Sequence, residues 1–73
     1  MAVEIIEIPI AGKIVSINSS VGAQVKEGDV ICILESMKME NPVLSPVAGK
    51  VTEINLAVGQ AVKSGDVLAK IEY

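Results

Sequence analysis

The sequence has no histidine, arginine, tryptophan or phenylalanine, and it has a single cysteine and a single tyrosine. Without histidine, zinc sites of the Cys/His kind and His-based acid–base or triad catalysis are excluded. One cysteine cannot form an intrachain disulfide. The near absence of aromatic rings leaves little to stack on unpaired bases, and a net charge of −3 without arginine disfavours a phosphate-backbone partner. We therefore expect no nucleic-acid partner.

Long apolar runs are missing as well. The longest are far too short to cross a bilayer, and the start of the chain carries the acidic Glu4 where a secretion signal has basic residues. We expect no direct membrane insertion. The expected location is the cytoplasm, or the mitochondrial matrix if the chain is excised from a eukaryotic parent.

Valine and isoleucine dominate what is present. The 73 residues predict one domain covering residues 1–73, and 51% of them are apolar. β-branched side chains favour strands, and no window has helical periodicity. Short strands with frequent glycine turns predict an all-β sandwich or barrel, in which Pro42 is expected to cut the fifth strand. The predicted strands are Val3–Ile8, Lys13–Asn18, Gln24–Lys26, Val30–Glu35, Met39–Leu44, Lys50–Leu56, Ala61–Lys63 and Val67–Glu72.

The sequence repeats itself once. Residues 9–35 align without a gap with residues 46–72 at a constant offset of 37, and 14 of the 27 aligned pairs are identical. Two copies are too few for a solenoid, which needs about three or more. We therefore predict one domain of two interlocked halves related by quasi-two-fold symmetry, with residues 36–45 as the connector between them.

The repeat also predicts which side chains face inward. In the last strand Lys70 must face water, so the alternate positions face the core in both copies: Val67, Ala69, Ile71, Val30, Cys32 and Leu34. Cys32 thus takes the place of Ala69 as a small buried side chain with an inert thiol. Ile31 and Ile33 are predicted on the outer face, where they are either covered by another strand or form a patch for a partner.

Glycines mark the turns. The six of them form three repeat-related pairs, which predicts positions that need a positive φ or a close backbone approach. Their spacing does not match either phosphate-binding pattern, GxGxxG or GxxxxGK. The pairs are Gly12 and Gly49, Gly22 and Gly59, and Gly28 and Gly65.

The most informative segment is the hexapeptide Glu35-Ser36-Met37-Lys38-Met39-Glu40, which joins the two copies. A predicted strand ends before it and another follows, which indicates a β-hairpin with Met37 and Lys38 at its tip. Neither is a residue that two-residue turns prefer, and a broken local rule is typical of a functional site. The methionines are either exposed or packed onto the end of the barrel. In both cases Lys38 is expected to offer its amine to water, far from the chain ends.

The segment Glu35–Met39 resembles the attachment signature of the biotinyl domains, most often Glu-Ala-Met-Lys-Met. Pro9–Ile14 and Pro46–Val51 resemble the Pro-x-x-Gly-x-Val stretches of that family, and Val21–Asp29 and Val58–Asp66 resemble its Val-Gly-x-x-Val-x-x-Gly-Asp turns. The resemblance covers nearly the whole chain. It implies a flattened β-barrel of two four-stranded antiparallel sheets with internal pseudo-two-fold symmetry.

The same resemblance implies a function. Biotin would be linked covalently to Lys38, flanked by the recognition residues Met37 and Met39, with Glu35 and Ser36 completing the motif. The chain would be a biotin carboxyl carrier, not itself an enzyme, whose swinging arm shuttles carboxybiotin between active sites. Its partners would be biotin protein ligase, biotin carboxylase, and carboxyltransferase or decarboxylase subunits or domains.

Two departures from the family narrow this expectation. Ser36 replaces the usual alanine, and as a small residue it should not block modification. The ungapped repeat leaves no room for the inserted thumb of the bacterial acetyl-CoA carboxylase carrier. The chain therefore looks more like the carriers of biotin-dependent decarboxylases, of transcarboxylase, or of pyruvate and propionyl-CoA carboxylases.

Three alternatives compete with this interpretation. A lipoyl domain has a similar fold, but that family usually shows Asp-Lys-Ala at the tip. An unmodified structural or interaction domain would explain the repeat but not the unusual turn. An enzyme using Lys38 as a Schiff-base nucleophile would need a desolvated amine in a pocket.

Overall fold

The computed structural model describes residues 2–73, and within them the chain forms eight strands and no helix. All eight predicted strands are confirmed, with ends that shift by a residue or two. The strands are β1 Val3–Glu7, β2 Gly12–Ile17, β3 Gln24–Val25, β4 Val30–Ser36, β5 Met39–Leu44, β6 Gly49–Ile54, β7 Ala61–Val62 and β8 Val67–Glu72. The described residues therefore contain no helix that could cross a bilayer.

The strands build two four-stranded antiparallel sheets, as the resemblance implied. Sheet A has the order β1-β8-β6-β3, and sheet B has the order β5-β4-β2-β7. Each strand of sheet A corresponds, at the repeat offset of 37 residues, to the strand that has the same place in sheet B. The repeat is thus a structural two-fold: each half of the sequence contributes strands to both sheets.

The core lies between the two sheets, and among residues 2–73 its apolar side chains are all aliphatic apart from one cysteine, while the buried polar residue is Ser45. Cys32 and its repeat counterpart Ala69 are both fully buried, which confirms the predicted role of Cys32 as small filler. Burial raises the pKa of the Cys32 thiol, because the thiolate is poorly solvated there. The buried apolar residues are Ile6, Ile8, Ile14, Val25, Ile31, Cys32, Leu34, Val43, Val51, Val62, Leu68, Ala69 and Ile71.

The predicted alternation in β4 is wrong at Ile31. This side chain was expected on the outer face but is fully buried, and Val30, expected inside, is half-buried. The register between β4 and β5 shifts between Val30 and Cys32, so Ile31 is the extra residue of a β-bulge. A bulge places two residues opposite one and breaks the strict two-residue period. Only Ile33 keeps the predicted outward position.

The expected break at Pro42 is also wrong. β5 runs without interruption from Met39 to Leu44, and Pro42 pairs with Ile33 of β4. β5 is an edge strand of sheet B. Proline is tolerated there because its missing N–H faces away from the ladder.

The hairpin and the chain ends lie at opposite poles of the molecule, which measures 37 × 17 × 16 Å. β5 leads away from the hairpin, and Gly49, five residues after the end of β5, lies against the carbonyl of Glu72 and the side chain of Tyr73. At that pole Ala2 and Tyr73 exchange two backbone hydrogen bonds of 2.8 and 2.9 Å. The repeat counterpart of Lys38 is Met1, which lies outside the described residues. The amine and the ends are thus separated along the long axis, as predicted.

Candidate functional site: the Lys38 hairpin

β4 and β5 form the predicted hairpin, closed by the pair Ser36 and Met39. Met37 and Lys38 are the two central turn residues, and their φ angles are +54° and +64°. Positive φ at both central positions defines a type I′ turn, the turn whose twist matches antiparallel strands. Within residues 2–73, the four other residues with positive φ are glycines of the repeat-related turns, namely Gly22, Gly28, Gly59 and Gly65. In this part of the chain, the hairpin is therefore the one place where residues with a Cβ adopt a left-handed backbone.

The left-handed backbone at Met37 and Lys38 lowers the stability of the fold. A left-handed backbone costs roughly 1–2 kcal/mol for each residue with a Cβ, and glycine or asparagine would avoid most of it. The chain uses glycine wherever the repeat-related turns need it. Retaining Met37 and Lys38 at this one turn is therefore explained by what their side chains do, not by folding.

The side chains of the tip are open to solvent. Met37 is 92% exposed and Met39 is 65% exposed, while Lys38 is exposed between them. Of the two alternatives for the methionines, the structure shows the exposed one. Two flexible thioethers thus flank one amine, and such side chains adapt to different contacting surfaces.

Two residues outside the predicted site support the hairpin: Asn41, which the sequence did not indicate, and Gly12, for which the repeated glycines predicted a positive φ or a close backbone approach. The side-chain amide of Asn41 donates a 3.2 Å hydrogen bond to the carbonyl of Met39 and braces the strand that leaves the tip. Gly12 of β2 lies so close to β4 that an added Cβ would collide with the carbonyl oxygen of Glu35. The repeated glycine pair was the available signal for Gly12, whereas no sequence pattern indicated Asn41.

Acidic side chains border the hairpin. Glu35 and Glu40 lie directly opposite each other on β4 and β5, and both are exposed. Like charges in this arrangement destabilise a sheet by about 0.2–1 kcal/mol. Lys13 pairs with Glu35 from the other side, so one cation faces two carboxylates. In the other half of the repeat Val3 takes the place of Glu40, so the extra carboxylate belongs to the hairpin pole alone.

The arrangement suits covalent modification and does not suit Schiff-base catalysis. Two clefts in the described part of the chain are lined by residues between 17 and 30 and between 61 and 66, and neither includes a hairpin residue. A Schiff-base lysine needs a desolvating pocket, whereas the amine of Lys38 stands free at a tip. Ser36, half-buried at the base of the turn, leaves the approach to Lys38 open.

Replacing Met37 with asparagine is expected to stabilise the fold. Asparagine adopts the left-handed conformation more readily, so Met37→Asn should raise the free energy of unfolding by about 0.5–1 kcal/mol, measured by urea denaturation. Met39→Asn is the matched control, because Met39 is a strand residue and should give no gain. A loss of stability in Met37→Asn would mean that the methionine contributes packing that its exposure does not indicate.

Comparison with known proteins agrees with the fold. Residues 4–71 match the profile of the biotin/lipoyl attachment family, described as "Biotin-requiring enzyme". With a match over nearly its whole length, the chain belongs to this family.

Two curated relatives are subunits of decarboxylases that act on CoA esters. The chain is 50% identical over 36 residues to the glutaconyl-CoA decarboxylase subunit gamma of Acidaminococcus fermentans, covering 49% of this chain and 25% of the relative. It is 45% identical over 40 residues to the methylmalonyl-CoA decarboxylase subunit gamma of Veillonella parvula, covering 55% of this chain and 31% of the relative. The aligned regions are thus only a quarter to a third of these relatives.

Solved structures give the same fold inside larger enzymes. The Kluyveromyces lactis urea carboxylase superposes with a TM-score of 0.91 at 32% identity, covering 99% of this chain and 6% of that one. A single-chain, multi-domain long-chain acyl-CoA carboxylase superposes with a TM-score of 0.88 at 28% identity, covering 93% of this chain and 7% of that one. Taken with the family match, these likenesses make the chain a biotin carboxyl carrier whose cofactor is covalently attached biotin.

Proposed function

We propose that biotin is attached to the side-chain amine of Lys38. The observation that carries this proposal is the exposed amine at the apex of a type I′ turn, between two exposed methionines. The residues fit the group, because Lys38 is exposed and, within residues 2–73, its amine forms no ion pair within 4.0 Å. Met37 and Met39 are proposed as the flanking recognition residues, with Glu35 and Ser36 completing the motif.

The attachment step is an acyl transfer. The amine of Lys38 attacks the carboxyl carbon of an activated biotin, an amide bond forms, and the activating group leaves with the bonding electrons. The amine must first lose a proton, since a lysine is mostly protonated near neutral pH. We assign the proton acceptor to the ligase, because the chain has no histidine. The amide carries no charge, so modification changes the net charge of the chain from −3 to −4.

The domain is proposed to carry a carboxyl group on its biotin and not to catalyse the transfer of that group. Bound biotin supplies a ureido nitrogen that can hold a carboxyl group. The protein contributes a rigid barrel that holds Lys38 at one pole. The chain ends lie at the opposite pole, along a long axis of 37 Å, and can tether the domain there. Tethering raises the effective concentration of the arm at each active site without tight binding to either.

The parent enzyme is proposed to be a biotin-dependent decarboxylase, carboxylase or transcarboxylase. The names of the curated relatives, both gamma subunits of CoA-ester decarboxylases, favour the first. The proposed partners are biotin protein ligase together with biotin carboxylase and carboxyltransferase or decarboxylase subunits or domains. The proposed location is the cytoplasm, or the mitochondrial matrix if the chain is excised from a eukaryotic parent.

Intact mass distinguishes this function from that of a lipoyl domain. The purified chain is incubated in parallel with biotin protein ligase, ATP and biotin, and with lipoate ligase, ATP and lipoate. We expect one biotinyl group to be added in the first reaction and no change in the second. Lipoylation alone, or no modification in either reaction, would overturn the proposal.

A further inference from the structure

The duplicated fold creates a recognition problem. A protein that contacted only features shared by the two halves could bind in two orientations, and only one of them presents Lys38. All six basic residues are lysines, and four of them form repeat-related pairs: Lys13 with Lys50, and Lys26 with Lys63. Residues that orient a partner must therefore lie where the two halves differ.

The halves differ on the outer faces of the sheets. On the central strands of sheet A, Lys70 and Glu53 form a 3.2 Å ion pair, the one ion pair within 4.0 Å among residues 2–73. Thr52 lies beside them and donates a hydrogen bond to the Lys70 carbonyl. The outer face of sheet A is thus polar along its centre.

Sheet B carries apolar residues at the equivalent places. Ile33 replaces Lys70, Val15 replaces Thr52, and Ser16, which replaces Glu53, pairs directly with Ile33. Pro42 on β5 also pairs with Ile33. Leu44 is exposed further along the same strand, and Val15 is exposed as well. We call Val15, Ile33, Pro42 and Leu44 the apolar patch.

The patch lies on the two strands that form the hairpin and on their neighbour. Ile33 is three residues from the closing pair of the hairpin, which places it roughly 10 Å below that pair at the rise of a strand. Between the patch and the tip lie Glu35 and Glu40, the two opposed carboxylates. Sheet A also exposes Val3 and Ile5, but these lie on its edge strand, which begins at the pole of the chain ends.

We propose that the outer face of sheet B is the surface by which biotin protein ligase orients the unmodified domain, an inference that rests on the proposed function. The ligase would cover the apolar patch with an apolar surface of its own and place basic side chains against Glu35 and Glu40. Position and charge support this occupant: the face adjoins the hairpin that the modifying enzyme must contact, and its two carboxylates share a single paired cation, Lys13, which favours a partner with basic side chains.

The size of the patch fits a partner that must leave. Stable complexes bury about 800 Å² on each partner, which four side chains do not provide. A ligase releases its product after each turnover, so a small docking face is sufficient to set orientation. Such a face contributes to the encounter and to KM more than to the chemical step.

The repeat itself supplies the test variant. Val15→Thr, Ser16→Glu and Ile33→Lys together transfer the central residues of sheet A to sheet B. This triple variant should fold, because the same residues form an ion pair in the other half. A glutamate at position 16 would also keep a neighbouring partner. Ser16 donates a hydrogen bond to Asn18 in one half, and its counterpart Glu53 accepts a hydrogen bond from Asn55 in the other half.

Initial rates of biotinylation are measured for the triple variant at saturating biotin and ATP, with the ligase that modifies the wild-type chain. We expect KM for the carrier to rise about tenfold with kcat nearly unchanged. A sheet A variant that keeps that face polar, Thr52→Ser, Glu53→Lys and Lys70→Glu, exchanges the charges of the ion pair; it is the matched control and should keep the wild-type KM. Thermal melts of all three proteins establish that each is folded.

The outcomes separate the two proposals. If the wild-type chain is not biotinylated, the proposed function itself fails. If it is biotinylated and the triple variant has an unchanged KM, or the sheet A variant is equally impaired, the docking face is refuted while the function stands. An unchanged KM for the ligase together with slower turnover in a carboxylase or decarboxylase assay would assign the face to a catalytic subunit and overturn the ligase as occupant.

Discussion

Replacing Lys38 with arginine is expected to abolish biotin incorporation completely while leaving the fold intact. Arginine keeps the positive charge and the length of the side chain, and a substitution at an exposed site usually changes stability by less than about 0.5 kcal/mol. A guanidinium remains protonated and delocalised in proteins, so it does not provide the free amine that acyl transfer requires. Avidin capture and intact mass after ligase treatment measure the effect.

The matched control for this experiment is Lys13→Arg. Lys13 lies in the row of side chains across sheet B that includes Glu35 and Glu40, so it is an exposed lysine near the hairpin. We expect Lys13→Arg to be biotinylated as the wild type is. Avidin capture of Lys38→Arg, or loss of modification in Lys13→Arg, would place the acceptor elsewhere.

The second large effect is expected at Gly12. A Cβ at this position would collide with the carbonyl oxygen of Glu35 and would lie 3.1 Å from a methyl group of Leu34. The colliding atom is backbone, so no side-chain rotation can relieve the contact. Forced overpacking costs roughly 1–3 kcal/mol, and Gly12→Ala should therefore lower the melting temperature by roughly 10–20 °C for a domain of this size.

Gly49→Ala separates the effect on stability from the effect on the site. Its Cβ would collide with the carbonyl oxygen of Glu72 in the same way, but at the pole of the chain ends. Both variants should lose similar stability in thermal melts. At a temperature where both are folded, only Gly12→Ala should reduce the rate of biotinylation, because it displaces β4 next to the hairpin. Equal rates would show that the position of β4 does not matter for modification.

The strands and the hairpin could be predicted because their causes are local. Valine and isoleucine runs, glycine turns and the half-identical repeat lie in the chain itself, and the position of Met37 and Lys38 between two strands follows from them. The repeat predicted Cys32 correctly, because Ala69 shows what size of side chain that position accepts. Asn41 escaped prediction, since its bond to the carbonyl of Met39 depends on the shape of the finished turn.

The errors arose where a neighbouring strand decided the outcome. Strict alternation failed at Ile31, because the bulge is a property of the pairing between β4 and β5 and not of β4 alone. The expected break at Pro42 failed because the sequence does not reveal that β5 lies at the edge of its sheet.

By itself, the sequence determined that this chain is an all-β repeat with one unrepeated lysine between its halves, because β-propensity, turn chemistry and repetition are carried by neighbouring residues. Only the tertiary structure decided that Met37 and Lys38 adopt a left-handed backbone, that both flanking methionines stand in solvent, and that the apolar patch adjoins Glu35 and Glu40. Those features depend on which strands pair, in which register and at which edge. Pairing joins residues far apart in the chain, so no local pattern could determine them.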